Sequence, residues 1–350
     1  MSRRRGPWVA LLAAAIATLS LSAAAQAATS ERAVSFAVTN SNATGVLGCS
    51  GDNGSYTVSG KIFYAGVHPP DNVTLYLHGL GYGQFFWNFT AVPGYDFATL
   101  QAANGGHASV VIDRLGYDSS GHPVGTNDCV GSQATVAHQI VQALRSGHYT
   151  VADQPARAFH RVAVAGHSLG GLIAEVEAAT FHDVDALAVV NFSDALPSPT
   201  AALTFAQTTL TCLLGGMPAE AGGGPGGYAP FGATAADFNA IMFYNADPAV
   251  VAATDALRNR DPCGDTMSVP AALVNNVLTI PSVTVPVLLL LGQNDALFTP
   301  PAANFGRLEY LGSHDVTQTV LPGTGHALLL GRSASAARGT LRAWLGARGF

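Results

Sequence analysis

The chain reads as an α/β protein: a mostly parallel central sheet with helices on both faces, interrupted by a mainly helical insertion. Three observations carry that reading. Short runs rich in Val, Leu, Ile and Ala recur along the sequence with helical patterns between them, as strands buried on both faces require. Glycine-bounded turns follow several of these runs, at Gly79-Leu80-Gly81, at Gly116, from Gly166 to Gly171 and at Gly292. Between Asp194 and Pro281 the alternation stops, and helical and Gly/Pro-rich sequence takes its place.

Taken in order, Arg32 to Thr39 and Tyr56 to Tyr64 alternate as two early strands. Val73 to His78 and Ser109 to Asp113 are buried strands that break at turns. Ser132 to Ser146 sets Val136, Ile140, Val141 and Leu144 on one helical face. Arg161 to Ala165 is a strand, and Leu172 to Ala179 begins the helix after it. Ala186 to Phe192, Val285 to Leu291 and Thr317 to Leu321 complete the strands, and Ala334 to Leu345 is the terminal helix. Inside the insertion, helical stretches near Thr200–Leu214 and Ala235–Arg258 flank Gly215 to Gly227, which reads as a mobile loop. The division that follows is a core of residues 28–194 and 281–350, with 195–280 as a lid over the sheet's carboxyl edge.

The first 27 residues have a different character. Arg3-Arg4-Arg5, an apolar segment from Trp8 to Leu21 and Ala25-Gln26-Ala27 describe a secretory signal peptide cut after Ala27. An exported, secreted protein is expected. Three of the 16 basic residues lie in that segment and none of the 22 acidic ones, which leaves a formal net charge of −9. That balance argues against a nucleic-acid partner. No later apolar run is long enough to span a membrane; Val285 to Leu291 is far too short. Four cysteines in an exported chain favour two disulfides. Of the three connectivities, Cys49–Cys129 with Cys212–Cys263 is preferred, because the latter two sit in one insertion. Five Asn-x-Ser/Thr sequons, Asn191 among them, are taken as chance in an Ala- and Gly-rich chain.

Gly166-His167-Ser168-Leu169-Gly170 is the most informative stretch, because a strand precedes it and a helix follows. In such a strand–turn–helix the flanking glycines let backbone segments approach closely. The serine hydroxyl is lifted clear of the sheet, and the helix N-terminus faces any anion forming beside it. A serine needs a base, and the base needs an orienting acid. Asp295 and His326 each follow a strand, and the order Ser…Asp…His suits a serine on such a turn. Asp194, after the preceding strand, is the rival acid; otherwise it caps a helix. Asp113 and Arg114 read as a structural pair, His78 as a shaper of the turn after its strand, and His167 as a packed residue. The remaining histidines show no metal-ligand spacing, and no Cys-x-x-Cys occurs.

With His78-Gly79-Leu80-Gly81, Asp113 to Tyr117, Gly166 to Gly171, Pro286 to Asp295 and Pro322-Gly323-Thr324-Gly325-His326 in place, the chain resembles the α/β-hydrolase superfamily, its lidded serine branch. The resemblance runs from about Val73 to Leu345, apart from the insertion. It implies Ser168 as nucleophile, His326 as base and then acid, and Asp295 as orienting carboxylate. The backbone N–H groups of Leu80 and Leu169 would form the oxyanion hole. It implies no metal and no organic cofactor, and serine at the turn disfavours the dehalogenase and epoxide-hydrolase chemistries of relatives that carry aspartate there. The expected activity is hydrolysis of a carboxylic ester, lactone or amide through an acyl-enzyme, on a small-molecule or lipid-like ester. Carbon–carbon bond hydrolysis, cofactor-free perhydrolysis or a non-catalytic binding role on the same scaffold are the alternatives. Leu203, Phe205, Leu210, Leu213, Leu214, Met217, Phe231, Phe238, Ile241, Met242 and Phe243 are too many apolar residues for the insertion to bury internally. Some are expected to line an acyl pocket over Ser168, with the 215–227 loop governing entry.

Overall fold

The computed structural model describes residues 28–194, 198–299 and 302–350, and the segment read as a signal peptide lies outside them. The chain opens with a long antiparallel pair, β1 (Thr29–Thr39) and β2 (Ser55–Ala65), in register from Thr29 opposite Ala65 to Thr39 opposite Ser55. Alternation decides its faces: Val34, Phe36 and Val38 point inward and are buried. The α/β series follows as β3 (Asn72–Leu77), α1 (Phe97–Gly105), β4 (Ala108–Ile112), α2 (Val130–Ser146), β5 (Thr150–Val151), β6 (Arg161–His167), α3 (Leu169–Phe181) and β7 (Ala186–Val190). The intervening stretch contains α4 (Pro199–Leu213), β8 (Tyr228–Ala229), α5 (Ala235–Met242), α6 (Pro248–Leu257), β9 (Asp261–Pro262) and α7 (Cys263–Thr279). The chain then returns to the sheet with β10 (Val287–Gly292), β11 (Val316–Leu321) and α8 (Ala334–Gly346).

The main sheet has nine strands in the order β11-β10-β7-β6-β3-β4-β2-β1-β5. The six strands from β4 to β11 are parallel, and β2, β1 and β5 extend the sheet antiparallel. Every residue of β4, β7 and β10 is buried, as strands covered on both faces must be. From β3 the chain crosses to β4 on one side and then returns to β6 on the other. That reversal opens a crevice at the carboxyl ends of β3 and β6, where ligands bind in sheets of this kind.

Several elements lie outside the expected series, α1, β5, β8 and β9 among them, and two departures bear on the site. Helix α7 was not anticipated because Pro270 lies inside it and because its inward face is polar or small. Asp265, Thr266, Ser268, Ala272 and Asn276 are buried, whereas Met267, Val274, Val277 and Leu278 are exposed. The Gly215–Gly227 segment is also not free. Gly216, Met217 and Ala219 donate backbone hydrogen bonds within the insertion, Gly226 O and Gly227 O accept from Gly125 and Cys263, and Arg260 holds Pro218 O and Glu220 O.

Both expected disulfides are present. Cys49–Cys129 ties the β1–β2 connection to the start of α2 across 80 residues, and Cys212–Cys263 joins the end of α4 to the start of α7 across 51. Closing loops of those lengths in the unfolded chain is worth about 4 kcal/mol each on the chain-entropy model. Among the described residues no helix is long and apolar enough to cross a membrane.

A buried polar cluster docks α7 on α3. Asn276 Nδ2 donates to Glu175 Oε2 (2.8 Å) and Asp194 Oδ2 (2.7 Å), and the Tyr310 hydroxyl donates to Glu175. Burial pushes the Asp194 carboxyl up to about 6; burial and then Asp194 push Glu309 up to about 7, and Glu175 rises well above the carboxylate range. The folded state therefore holds protons that the unfolded chain, with carboxyls near 4, has already released. The stability this confers is fully present below about pH 4 and is lost as pH rises through 6 to 7. The melting temperature is expected to fall by on the order of 5 °C from pH 5 to pH 8, and Asp194→Asn to remove part of that slope. Calorimetry across the range checks it; a profile flat or rising toward pH 8 contradicts the cluster's assignment.

Candidate active site

The candidate residues reach one place because each follows the carboxyl end of a parallel strand. Leu80 follows β3, Ser168 follows β6, Asp295 follows β10 and His326 follows β11. The turn at Ser168 is as tight as its glycines imply. A Cβ on Gly166 would stand 1.9 Å from Gly170 O, and one on Gly170 would stand 2.5 Å from Leu77 O. Ser168 itself has φ 54° and ψ −123°, a region that L residues seldom occupy and that costs about 1–3 kcal/mol. The strain puts the side chain, 6% exposed, on the floor of a cavity and leaves α3 to start at the next residue.

Asp295 and His326 form a buried pair. His326 Nδ1 lies 2.8 Å from Asp295 Oδ2, while Asp295 Oδ1 accepts from the backbone N–H groups of Leu297 (2.7 Å) and Phe298 (3.1 Å). With Nδ1 so engaged, Nε2 is the ring atom left to take a proton; it is buried and has no hydrogen-bond partner among the described residues. No hydrogen bond joins Ser168 Oγ to His326 among the described residues, and such bonds commonly tighten only once substrate is bound. Asp194 stands elsewhere, against Asn276, and contacts no histidine; nor does it cap α4, whose N-cap is Ser198, accepting from Ala201 N.

Residues to which the sequence reading gave no catalytic part set this geometry. Asn191, at the end of β7, donates to Gly325 O (2.8 Å) and His326 O (2.6 Å) and accepts from Gly292 N (2.6 Å). It thereby links the Asp295 and His326 loops, and its complete burial is incompatible with glycosylation of the folded chain. A polar residue closing an apolar strand was the available signal. His167 Nε2 lies 3.0 Å from His326 O, and its ring stacks on Phe86 at 3.9 Å. Burial, then the neighbouring His326, holds His167 well below the usual histidine range, which keeps it neutral.

The loop after β3 is held just as closely. Gly79 packs on Ser168, since a Cβ there would stand 2.8 Å from the serine Cβ. His78 Nδ1 lies 2.9 Å from Gly79 O, and His78 Nε2 accepts from Arg114 N at 3.0 Å, so the Nδ1–H tautomer serves both bonds. Arg114 and Asp113 do not pair with each other, contrary to the sequence reading. Arg114 donates to Asp265 Oδ2 and the Tyr117 hydroxyl, both at 2.9 Å, and Asp113 accepts from Gln84 and Ser119. Asp113 is just as buried, but both of its oxygens are taken by Gln84 and Ser119, so the Arg114 guanidinium meets the buried Asp265 of the insertion. The N–H groups of Leu80 and Leu169 donate to no partner among the described residues.

Above Ser168 lies a cavity of about 520 Å3. Phe205, Leu210 and Leu213 of α4, Val269, Pro270 and Leu273 of α7, and Leu297 and Phe298 line it with a nearly unbroken apolar surface. The expected lining is realised only in part. Phe231, Phe238, Ile241 and Met242 are buried in the core, Leu203 and Leu214 face outward, and the 215–227 loop contributes nothing to the lining. Helix α4 buries Ala201, Thr204, Thr208 and Cys212 instead of its leucines. The threonine hydroxyls satisfy themselves on carbonyls one turn back, so they are buried at little cost. No His, Asp or Glu cluster with metal-binding spacing lies at the cavity; the one such group among the described residues is His138, Glu177 and Asp183, between α2 and α3. Burial, and then Asp183, raises the Glu177 carboxyl well above its ordinary value.

The α/β-hydrolase family model matches residues 75–338, about three quarters of the chain. The chain belongs to the α/β-hydrolase family. No curated protein matches it in sequence. Among solved structures it is similar to a thermophilic esterase from Thermogutta terrifontis at 15% identity, with 89% of this chain and 98% of that one covered and a TM-score of 0.60. It is also similar to the enol-lactonase from Burkholderia xenovorans LB400 at 16% identity, covering 83% and 97% with a TM-score of 0.61. A hydrolase from Pseudomonas aeruginosa PA01 matches at 16% identity, covering 83% and 95% with a TM-score of 0.59. At these identities the likeness is one of fold. This α/β-hydrolase places its serine at the topological switch point of that fold, under the stretch between β7 and β10.

Proposed function

We propose that this α/β-hydrolase is an exported serine esterase that cleaves apolar acyl esters through an acyl-enzyme. One observation carries the reading: a strained serine on the floor of an apolar cavity, with a buried imidazole–carboxylate pair and a free backbone N–H on either side of it. In this reading His326 Nε2 takes the Ser168 proton as Oγ attacks the ester carbonyl, and Asp295 stabilises the imidazolium that forms. The carbonyl oxygen, now negative, accepts from the Leu80 and Leu169 N–H groups, each worth about 2.7–4 kcal/mol in the transition state. His326 then protonates the leaving alcohol, and water repeats the sequence on the acyl-enzyme. The esterase and lactonase among similar structures support ester or lactone bonds over carbon–carbon cleavage. The basic-apolar N-terminus and the two disulfides support export. The core of residues 28–194 and 281–350 supplies the catalytic groups, and 195–280 acts as the lid that shapes the acyl pocket.

The cavity sets the substrate preference. Among the described residues its lining carries no ionisable side chain, and Leu210 and Leu213 both line it and stand 57% and 67% exposed. Each methylene that leaves water there is worth about 0.8 kcal/mol, roughly fourfold in kcat/KM. On p-nitrophenyl esters, activity is expected to be weak on acetate and to rise through medium chains until the cavity is full. Leu273→Trp, which fills the cavity, is expected to move the optimum to shorter acyl groups. Reaction with a fluorophosphonate and a chain-length panel test the reading together. An unlabelled protein ends the serine-hydrolase assignment; a labelled one that prefers acetate ends the acyl-pocket assignment only.

A further inference from the structure

Three consecutive peptide groups after β3 are each held at a fixed angle, but by different parts of the protein. The Gly79–Leu80 peptide, which carries the Leu80 N–H, is held through Gly79 O by the His78 ring of its own loop. The Leu80–Gly81 peptide is held through Gly81 N–H, which donates to Asp261 Oδ1 at 2.6 Å. The Gly81–Tyr82 peptide is held through Gly81 O, which accepts from the Asn259 N–H at 3.1 Å. Asp261 and Asn259 both belong to the stretch between β7 and β10, so the two bonds on Gly81 come from outside the core.

The loop needs that hold. Gly79 and Gly81 give it two residues without side chains, and Gly81 sits at φ +73°, where a Cβ would stand 2.6 Å from the Phe238 ring. Left alone, a chain of that freedom would sample many orientations of the Leu80 N–H. Asp261 is well placed to prevent it. The residue is fully buried, its Oδ1 also accepts from the Tyr117 hydroxyl (3.0 Å), and its Oδ2 accepts from Phe231 N–H (3.2 Å). Tyr117 in turn receives the Arg114 guanidinium, which Asp265 neutralises and which also donates to His78 O at 2.9 Å. Both ends of the loop are therefore tied to acidic residues of the insertion, Asp261 directly and Asp265 through Arg114.

We infer that Asp261 is a positioning residue for the oxyanion hole: by holding Gly81 N–H it orients the Leu80 N–H toward Ser168, so that the insertion completes the catalytic apparatus as well as covering it. This rests on the serine-esterase reading above. A carboxyl group is suitable because two backbone donors and a hydroxyl converge on its two oxygens.

The test separates transition-state from ground-state binding. Asp261→Leu keeps the branched outline and removes the acceptor; Asp261→Asn keeps one acceptor oxygen. For the leucine variant, kcat on the best p-nitrophenyl ester is expected to fall by about 10–100-fold with KM within twofold, less than the 10²–10³ that loss of a whole donor costs. Affinity for an alkyl boronic acid, which mimics the tetrahedral adduct, should fall by the same factor. Affinity for the non-hydrolysable ether analogue of the ester should not change, and the asparagine variant should recover most of the loss. A leucine variant within threefold of wild type overturns the inference. So does one that loses ether binding, boronate binding and thermal stability together, because that is the signature of a merely structural residue. If the leucine variant does not fold, Tyr117→Phe decides: a smaller fall in kcat with KM unchanged supports the assignment, and an unchanged kcat overturns it. Failure of the underlying reading would show separately, as wild-type protein that a fluorophosphonate does not label.

Discussion

Ser168→Ala is expected to lower kcat by about 10⁴–10⁶ while KM, the disulfides and the melting temperature stay close to wild type. Removal of the attacking oxygen abolishes the acyl-enzyme route, and what remains is whatever the oxyanion donors and the cavity contribute by binding alone. The fold should tolerate the change or gain from it. Ser168 Oγ makes no hydrogen bond among the described residues, so no partner is orphaned, although the left-handed backbone at φ 54° persists with alanine. The measurement is kcat on the best p-nitrophenyl ester, with fluorophosphonate labelling and mass as a second readout. A purified variant with wild-type rate would remove Ser168 from the mechanism.

The acid offers the second large effect. Asp295→Asn is expected to cost about 10⁴ in kcat, because an amide at that position presents a donor to His326 Nδ1 and favours the wrong tautomer. Asp295 Oδ1 meanwhile accepts from two backbone N–H groups, so the amide oxygen has a strong reason to stay there and leave the NH2 facing the imidazole. Asp194→Asn should leave kcat within about threefold, since Asp194 contacts Asn276 and no histidine, and its effect falls on the pH dependence of stability instead. The opposite ranking would transfer the acid's role to Asp194. Because Asp295 and Asp194 both follow parallel strands, chain order alone left the two in competition; the 2.8 Å contact to His326 separates them.

The strand series, the serine turn and both cysteine pairings were legible because each is a local or countable signal. β10 shows the first kind: Val287 to Gly292 is buried throughout, and an unbroken apolar run of that length has few other uses. The Ser168 turn shows the second, since Gly166 and Gly170 are demanded by approaches of 1.9 Å and 2.5 Å that no Cβ survives. Helix α7 was illegible for the complementary reason. It buries Asp265, Thr266, Ser268 and Asn276 and exposes Met267, Val274, Val277 and Leu278, so its hydrophobic pattern points away from the core it packs on. Helix α4 misleads in the same way, with Thr204 and Thr208 inside and Leu203 and Leu213 exposed.

By itself the sequence determined the layered α/β architecture, the place of Ser168 between a strand and a helix, and the set of strand ends at which an acid and a base stand. Those depend on periodicity and on steric limits at single residues, which act over a few positions of chain. Only the tertiary structure decided which acid meets His326, that Arg114 pairs with Asp265 instead of its neighbour Asp113, and that Asp261 holds the loop next to Ser168. Each of these joins residues far apart in the chain, 151 positions in the case of Arg114 and Asp265 and 180 for Gly81 and Asp261. A buried charge or N–H must find some partner, and the sequence states that need without naming the partner. Packing names it, because only the folded insertion brings a carboxylate within hydrogen-bond distance of those groups.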